Sequence, residues 1–280
     1  MNSPSVTTFI GGGNMGCALV GGMLARGAPA DAIRIVEPQA AQRDKLAARF
    51  PGVRVHAECD AASLARADLI VFAVKPQQMQ QAARAVAPHL ARSPGAVVLS
   101  IAAGIRGADL ARWLDGHRMI VRAMPNTPAL VGKGISGVHA AAGVDAAGRA
   151  RCAAVLEAAG EMVWVADESM LDAVTGVSGS GPAYVFYFLE ALERAARELG
   201  FPAEDARRLA YATFDGAIAL AKASADDPAT LRAQVTSKGG TTERALAVME
   251  EAGVKERIVV AVKAAANRAR ELGDDFSTDD

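Results

Sequence analysis

Three glycines, Gly11, Gly13 and Gly16, stand in GxGxxG spacing between a β-branched and aromatic stretch at residues 6–10 and an apolar stretch in which Met15, Leu19 and Met23 recur every four residues. This reads as strand, tight turn, helix. Gly11 can take the backbone angles of a sharp exit from the strand, Gly13 lets the main chain approach a pyrophosphate, and Gly16 lets helix and strand pack closely. The turn reads as an anion site of the dinucleotide-binding kind, because free N–H groups and the positive end of the helix dipole face the phosphates. At the distance where such folds recognise the adenosine ribose stands Glu37, followed by Gln39, Gln42 and Arg43. A carboxylate there accepts ribose hydroxyls and repels a 2′-phosphate, favouring NADH. Arg43 offers the opposite reading, a phosphate contact, and a solvated loop carboxylate is a third.

Further along, Val74-Lys75-Pro76 closes an apolar stretch and places Lys75 where ligands of open α/β sheets bind. Ala102-Ala103-Gly104 is a small-residue loop that a flat ring could approach. Two prolines, Pro125 and Pro128, stiffen a loop that carries Asn126 and Thr127. A second anion site is legible at residues 234–243, Gln-Val-Thr-Ser-Lys-Gly-Gly-Thr-Thr-Glu. Gly240 reads as an N-cap with Glu243 three residues on, and Ser237, Thr241 and Thr242 put hydroxyls beside the free N–H groups of a helix start. A carboxylate fits that geometry, and so does an ordinary Ser/Thr-rich helix start.

These groups need a scaffold. Apolar strand patterns at residues 6–10, 33–36, 53–56, 69–74, 96–101, 119–123, 135–140 and 162–166 interleave with helices expected at 39–50, near 61–66 and near 146–159. Near-continuous apolar strands belong inside parallel sheets. Beyond about Asp167 the period is helical only, with helices expected at 168–175, 182–199, 202–224, 228–235, 241–252 and 255–272. The expected fold is therefore α/β, an N-terminal Rossmann-like dinucleotide-binding domain over residues 1–166 followed by an all-α domain over 167–280. In the helix from Pro182, Ser180 is the expected N-cap and Gly200 the expected stop. Tyr184, Phe186, Tyr187 and Phe188 make that helix apolar nearly all round, which predicts burial against a second subunit. The acidic tail 273–280 is expected to fray.

Composition narrows the classes. The chain has 280 residues, 51% of them hydrophobic, and 30 Lys+Arg balance 31 Asp+Glu. Length and apolar content suit about two domains, and a net charge of −1 offers no general attraction to nucleic acid or an anionic membrane. No apolar run approaches a membrane span and the N-terminus does not read as a signal peptide, so a cytoplasmic protein is expected. Cys17, Cys59 and Cys152, with four histidines, lack metal-ligand spacing, so no metal site is expected.

Taken in order, residues 10–15, Val74-Lys75-Pro76, Ala102-Ala103-Gly104, residues 124–128, the run Ala-Val-Thr-Gly-Val-Ser-Gly-Ser-Gly-Pro-Ala-Tyr at 173–184 and Gly239-Gly240-Thr241-Thr242 resemble the ordered motifs of pyrroline-5-carboxylate reductase. The resemblance spans nearly the whole chain. It implies reduction of the cyclic imine 1-pyrroline-5-carboxylate to L-proline with NADPH or NADH, the last step of proline synthesis, by a homodimer that can assemble further. By similarity Gly11, Gly12, Gly13, Asn14 and Met15 hold the pyrophosphate, and Glu37, Gln39 and Asp60 lie on the adenosine side. Val74, Lys75, Pro76, Ala102, Ala103 and Asn126 line the rest of the cofactor. Substrate would rest on Glu168, Gln234, Ser237, Gly240, Thr241 and Thr242, with the Thr242 hydroxyl on the ring nitrogen. Three residues depart from the family pattern: Lys238 stands where proline is usual, Asp60 where asparagine is common, and Glu37 where small or polar residues are frequent. The last two put negative charge near the ribose, against the family's usual NADPH preference. A β-hydroxyacid dehydrogenase would need a lysine early on the helix after 181, where none stands before Arg194, and a dinucleotide-sensing protein would not need an organised second site.

Overall fold

The computed structural model describes residues 5–91, 93 and 95–278. Eight strands form one sheet: β1 (Thr7–Ile10), β2 (Ile33–Val36), β3 (Arg54–His56), β4 (Leu69–Phe72), β5 (Val97–Ser100), β6 (Ile120–Met124), β7 (Gly134–Ala140) and β8 (Gly160–Trp164). Their order is β3-β2-β1-β4-β5-β6-β7-β8, parallel except where β7 runs antiparallel to β6. The strand order reverses between β1 and β4, and ligands of such sheets gather outside the carboxyl ends beside that point.

Helices α1 (Asn14–Ala25), α2 (Ala40–Arg49), α3 (Met79–Leu90), α4 (Gly107–Trp113) and α5 (Ala146–Glu157) make the connections. The period of two along each strand divides the core into two layers. Leu69 and Val71 of β4 face a cluster with Leu19, Leu46 and Val155, while Ile70 and Phe72 face another with Met79, Val86, Leu110 and Trp113. Thus α1, α2 and α5 cover one face, and α3 and α4 the other. The sequence reading missed α3 and α4. Pro88 lies inside α3, and α4 is only seven residues long, so neither offers a long uninterrupted helical period. The helix expected near 61–66 is instead a series of turns. Asp60 and Ser63 exchange side-chain and main-chain hydrogen bonds there, and Arg66 has φ 55°.

After β8 the chain is helical: α6 (Met170–Val174), a π-helical turn at Thr175–Gly179, α7 (Gly181–Glu198), α8 (Ala203–Ala223), α9 (Pro228–Gln234), α10 (Thr241–Glu251) and α11 (Val254–Thr278). Ser180 does not cap α7 as expected. Its backbone is right-handed helical and its N–H bonds Thr175 O at 2.8 Å, which closes the π turn ahead of α7. Gly200 does stop α7: its φ is 100°, and Gly200 and Phe201 return their N–H groups to Arg197 and Ala196.

The last strand ends near the expected boundary, but the compact units part elsewhere, as residues 1–180 with 264–280 and residues 181–263. Residues 167–180 join the sheet unit because α6 and the π turn pack on it. Asn126 Nδ2 donates to Ser178 O at 3.1 Å, and a Cβ on Gly137 of β7 would strike the Val174 side chain. The tail also departs from expectation. Residues 273–278 continue α11, because the Phe276 ring packs against Gly104 and Arg106 reaches both Arg270 O and Asp274. Asp279 and Asp280 lie outside the described residues.

Candidate active site

At the carboxyl end of β1, Gly11 turns with φ 103°, and a Cβ there would lie 2.8 Å from Ala73 O. Only glycine fits. A Cβ on Gly13 would meet nothing within 4 Å, which leaves the main chain open to a ligand, and one on Gly16 would touch Gly11 O at 2.8 Å. No hydrogen bond among the described residues takes the N–H of Gly13, Asn14 or Met15. Those free groups lie at the start of α1, and an anion such as a pyrophosphate fits them without a charged side chain.

Glu37 is not a solvated loop carboxylate. It is buried, Oε2 accepts the Gly12 N–H at 3.1 Å and Oε1 accepts the Gln39 N–H at 3.0 Å. Gly12 therefore serves the turn through its shape, its N–H being committed to Glu37. Gln42, which sequence reading left without a role, donates to Gly12 O at 2.7 Å and fixes the same turn from α2. Arg43 turns back onto the carbonyls of Glu37 and Pro38. The outcome is a preorganised acidic corner at the end of β2.

The remaining cofactor candidates lie at strand ends. Val74, Lys75 and Pro76 follow β4, with Lys75 exposed at the start of a 3-10 turn, and Ala102, Ala103 and Gly104 follow β5. Asn126, after β6, is buried and clamps its loop: Oδ1 accepts the Ile135 N–H at 2.9 Å while Nδ2 holds Ser178 O. Asp60, after β3, spends Oδ1 on the N–H groups of Ala62 and Ser63. Hydrogen bonds from Ser63, then from Ala62, hold its carboxyl below the usual range.

In the helical unit, the start of α10 has the form expected from its sequence. Gly240 is the N-cap, its N–H returns to Ser237 O at 3.0 Å, and Gly239 takes φ 72°, as the third residue of a type II turn requires. Lys238 occupies the second turn position, which proline also suits. Glu243 reaches back to the Gly239 N–H at 2.6 Å, one residue before the position of an ordinary capping box. The N–H groups of Thr241, Thr242 and Glu243 are unclaimed among the described residues. Thr242 is half-buried, and Ser237 and Thr241 are exposed beside it. Gln234, at the end of α9, donates Nε2 to Asp226 at 2.8 Å.

Glu168 belongs to the sheet unit. Its Oε1 accepts the Gly107 N–H and an Arg122 Nη1 hydrogen bond, both at 2.6 Å, while Oε2 has no hydrogen bond among the described residues. Glu168, Arg122 and His139 line a recess of about 540 Å³ between β6, β7 and α4. Sequence reading passed over Arg122, although a lone arginine in the apolar strand 120–124 is a signal of a buried partner. Burial pushes the Glu168 carboxyl up, but the Gly107 N–H and the Arg122 guanidinium outweigh it and leave its pKa below the usual value. A depressed pKa stabilises the fold above the unfolded value of about 4.3, and that contribution is lost as pH falls through the folded value. Glu168→Gln should therefore cost about 1 to 2 kcal/mol at pH 7, since the pair is only partly buried. Thermal melts should find the gap between the two proteins closing below about pH 4, where the unfolded carboxyl is protonated. A gap independent of pH would assign Glu168 a packing role alone.

Residues 168–272 match the family described as pyrroline-5-carboxylate reductase dimerisation, and residues 6–104 match one described as NADP oxidoreductase, coenzyme F420-dependent. Pyrroline-5-carboxylate reductase of Pseudomonas aeruginosa is 44% identical over 274 residues, covering 98% of each chain. Among solved structures, the pyrroline-5-carboxylate reductase of Coxiella burnetii is 36% identical with a TM-score of 0.90 over 96% of this chain and 99% of its own. The Plasmodium falciparum enzyme, solved with NADP bound, is 25% identical with a TM-score of 0.83 over 96% and 98%. With two glycine-entered helix starts in place and homology along nearly its whole length, this chain belongs to the pyrroline-5-carboxylate reductase family.

Proposed function

We infer that the chain catalyses NAD(P)H-dependent reduction of 1-pyrroline-5-carboxylate to L-proline, the final step of proline biosynthesis. The observation that carries this reading is the pair of helix starts with unclaimed N–H groups, one after β1 for a pyrophosphate and one at α10 for a carboxylate. In this reading Gly11, Gly12, Gly13, Asn14 and Met15 seat the pyrophosphate, Glu37, Gln39 and Asp60 face the adenosine side, and Val74 to Pro76, Ala102, Ala103 and Asn126 border the rest. Ser237, Gly240 and Thr241 hold the substrate carboxylate over the first turn of α10. Gln234 and Glu168 border the substrate, Glu168 through the oxygen that Gly107 and Arg122 leave uncommitted. The Thr242 hydroxyl bonds the ring nitrogen, which must gain a proton as C5 is reduced. When bound, the reduced nicotinamide supplies the hydride. Positioning and electrostatics carry the remainder.

The same reading divides the labour between a cofactor domain over residues 1–166 and a substrate and dimerisation domain over 167–280. The test is purified protein with racemic pyrroline-5-carboxylate and either NADH or NADPH, followed at the nicotinamide absorbance, with chiral identification of the product. Cofactor binding without turnover of any cyclic imine would overturn the assignment in favour of a dinucleotide sensor.

The protein acts on a small molecule, and the helical segment supports a homodimer. Phe186, Tyr187 and Leu199 are 58%, 72% and 80% exposed in the single chain, apolar area that a second subunit would cover. Light scattering at micromolar concentration should give at least the dimer mass, and a monodisperse monomer would remove the dimer. A larger ring of dimers, a cytoplasmic location and the lack of nucleic-acid or membrane partners belong to the same proposal. They are supported by the balanced charge, the unpaired Cys17, Cys59 and Cys152, and the absence among the described residues of a helix long and apolar enough to cross a membrane.

A further inference from the structure

A recess of about 570 Å³ opens at the amino-terminal edge of the parallel strands, the edge opposite the glycine turn. Its lining includes Arg34, Arg54, Arg66 and Arg151 against two carboxylates, Asp31 and Asp68. Arg34 of β2 and Arg54 of β3 are register partners, and like charges opposed on neighbouring strands repel. Arg34 is only 7% exposed, and burial followed by the charge of Arg54 depresses its pKa. Its Nη1 donates to Ser63 O and Ala65 O, but its Nε is buried with no hydrogen-bond partner, as is the Nε of Arg151. Among the described residues none of the four guanidiniums has a carboxylate within 4.0 Å. Asp68 is already committed, accepting the Val6 N–H at 2.9 Å. Arg66 reaches the rim from a left-handed backbone, φ 55°, that a residue with a side chain seldom adopts.

A folded domain that gathers four guanidiniums with no carboxylate beside them, two of them with a buried Nε that has no partner, forgoes stability unless an anion completes them. We propose that this recess binds a small ligand carrying phosphoryl groups, gripped between Arg34 and Arg54 and closed by Arg66 and Arg151. Guanidinium forks match pairs of phosphate oxygens, and the volume suits a ligand larger than a single phosphate. This site uses no residue of the proposed active site.

The probe is inorganic pyrophosphate, titrated by calorimetry into the whole protein at constant ionic strength, with saturating NADH to fill the glycine turn. Specific binding is expected. The double variant Arg54→Gln/Arg66→Asn should weaken it about tenfold or more, since each lost fork removes a charge-assisted contact. Both residues are exposed, and asparagine tolerates the positive φ, so the variant should fold with NADH affinity unchanged. A parallel titration with ADP separates the sources. Tighter binding of ADP, again lost in the double variant, would point to a nucleotide, and equal binding to the phosphoryl groups alone. Heat no greater than that of chloride at the same ionic strength, or full affinity in the double variant, would overturn the proposal.

Discussion

Thr242→Ala should lower kcat for pyrroline-5-carboxylate roughly ten- to a thousandfold while leaving NAD(P)H affinity near wild type. The hydroxyl can both donate and accept, and it stands in the first turn of α10, where the neighbouring N–H groups are free to hold a carboxylate in register. Losing it removes a positioned hydrogen bond from the nitrogen that must be protonated. Water entering the gap would soften the loss toward the lower figure. Thr242→Ser separates the hydroxyl from the methyl group and should keep much of the activity. Melting curves must accompany the kinetics, because a change in the first turn of a helix can also lower stability. Wild-type kcat and KM in a folded Thr242→Ala protein would take this residue out of the mechanism.

The second large effect should come at Glu37. A 2′-phosphate brought to this buried carboxylate loses a ribose hydrogen bond and meets a like charge, together on the order of 1 to 3 kcal/mol. Glu37→Ser should move the ratio of kcat/KM values toward NADPH by roughly ten- to a hundredfold. Serine would also release the N–H groups of Gly12 and Gln39, so both cofactors should bind less tightly, NADH more so. Glu37→Gln removes the charge while keeping an acceptor near Gly12, and should shift the ratio with less general loss. A ratio unchanged in both variants would remove Glu37 from cofactor discrimination.

Local chemistry was legible without coordinates wherever one segment supplies it. The glycine turn and the start of α10 each follow from a few adjacent residues, because a strand exit, a positive φ and an N-cap are properties of the local backbone. The strands were legible because an apolar period of two, interrupted by turns, has few other solutions. Their order, with the reversal between β1 and β4 and the antiparallel β7, is a matter of long-range pairing that no single segment encodes. The same limit applies to individual side chains. For Glu37 the sequence leaves ribose contact, phosphate neighbour and loop carboxylate open until the fold brings Gly12 to it, and nothing near Glu168 in sequence announces the Arg122 that β6 supplies. Residues 273–278 of the tail, acidic and uncapped in sequence, are helical because Phe276 finds Gly104 far away in the chain. The sequence by itself determined the two glycine-entered helix starts and, with the other ordered motifs, the family they point to. Only the tertiary structure decided which charges are spent within the protein and which remain for a ligand, because pairing depends on distances between segments that have no fixed separation until the chain folds.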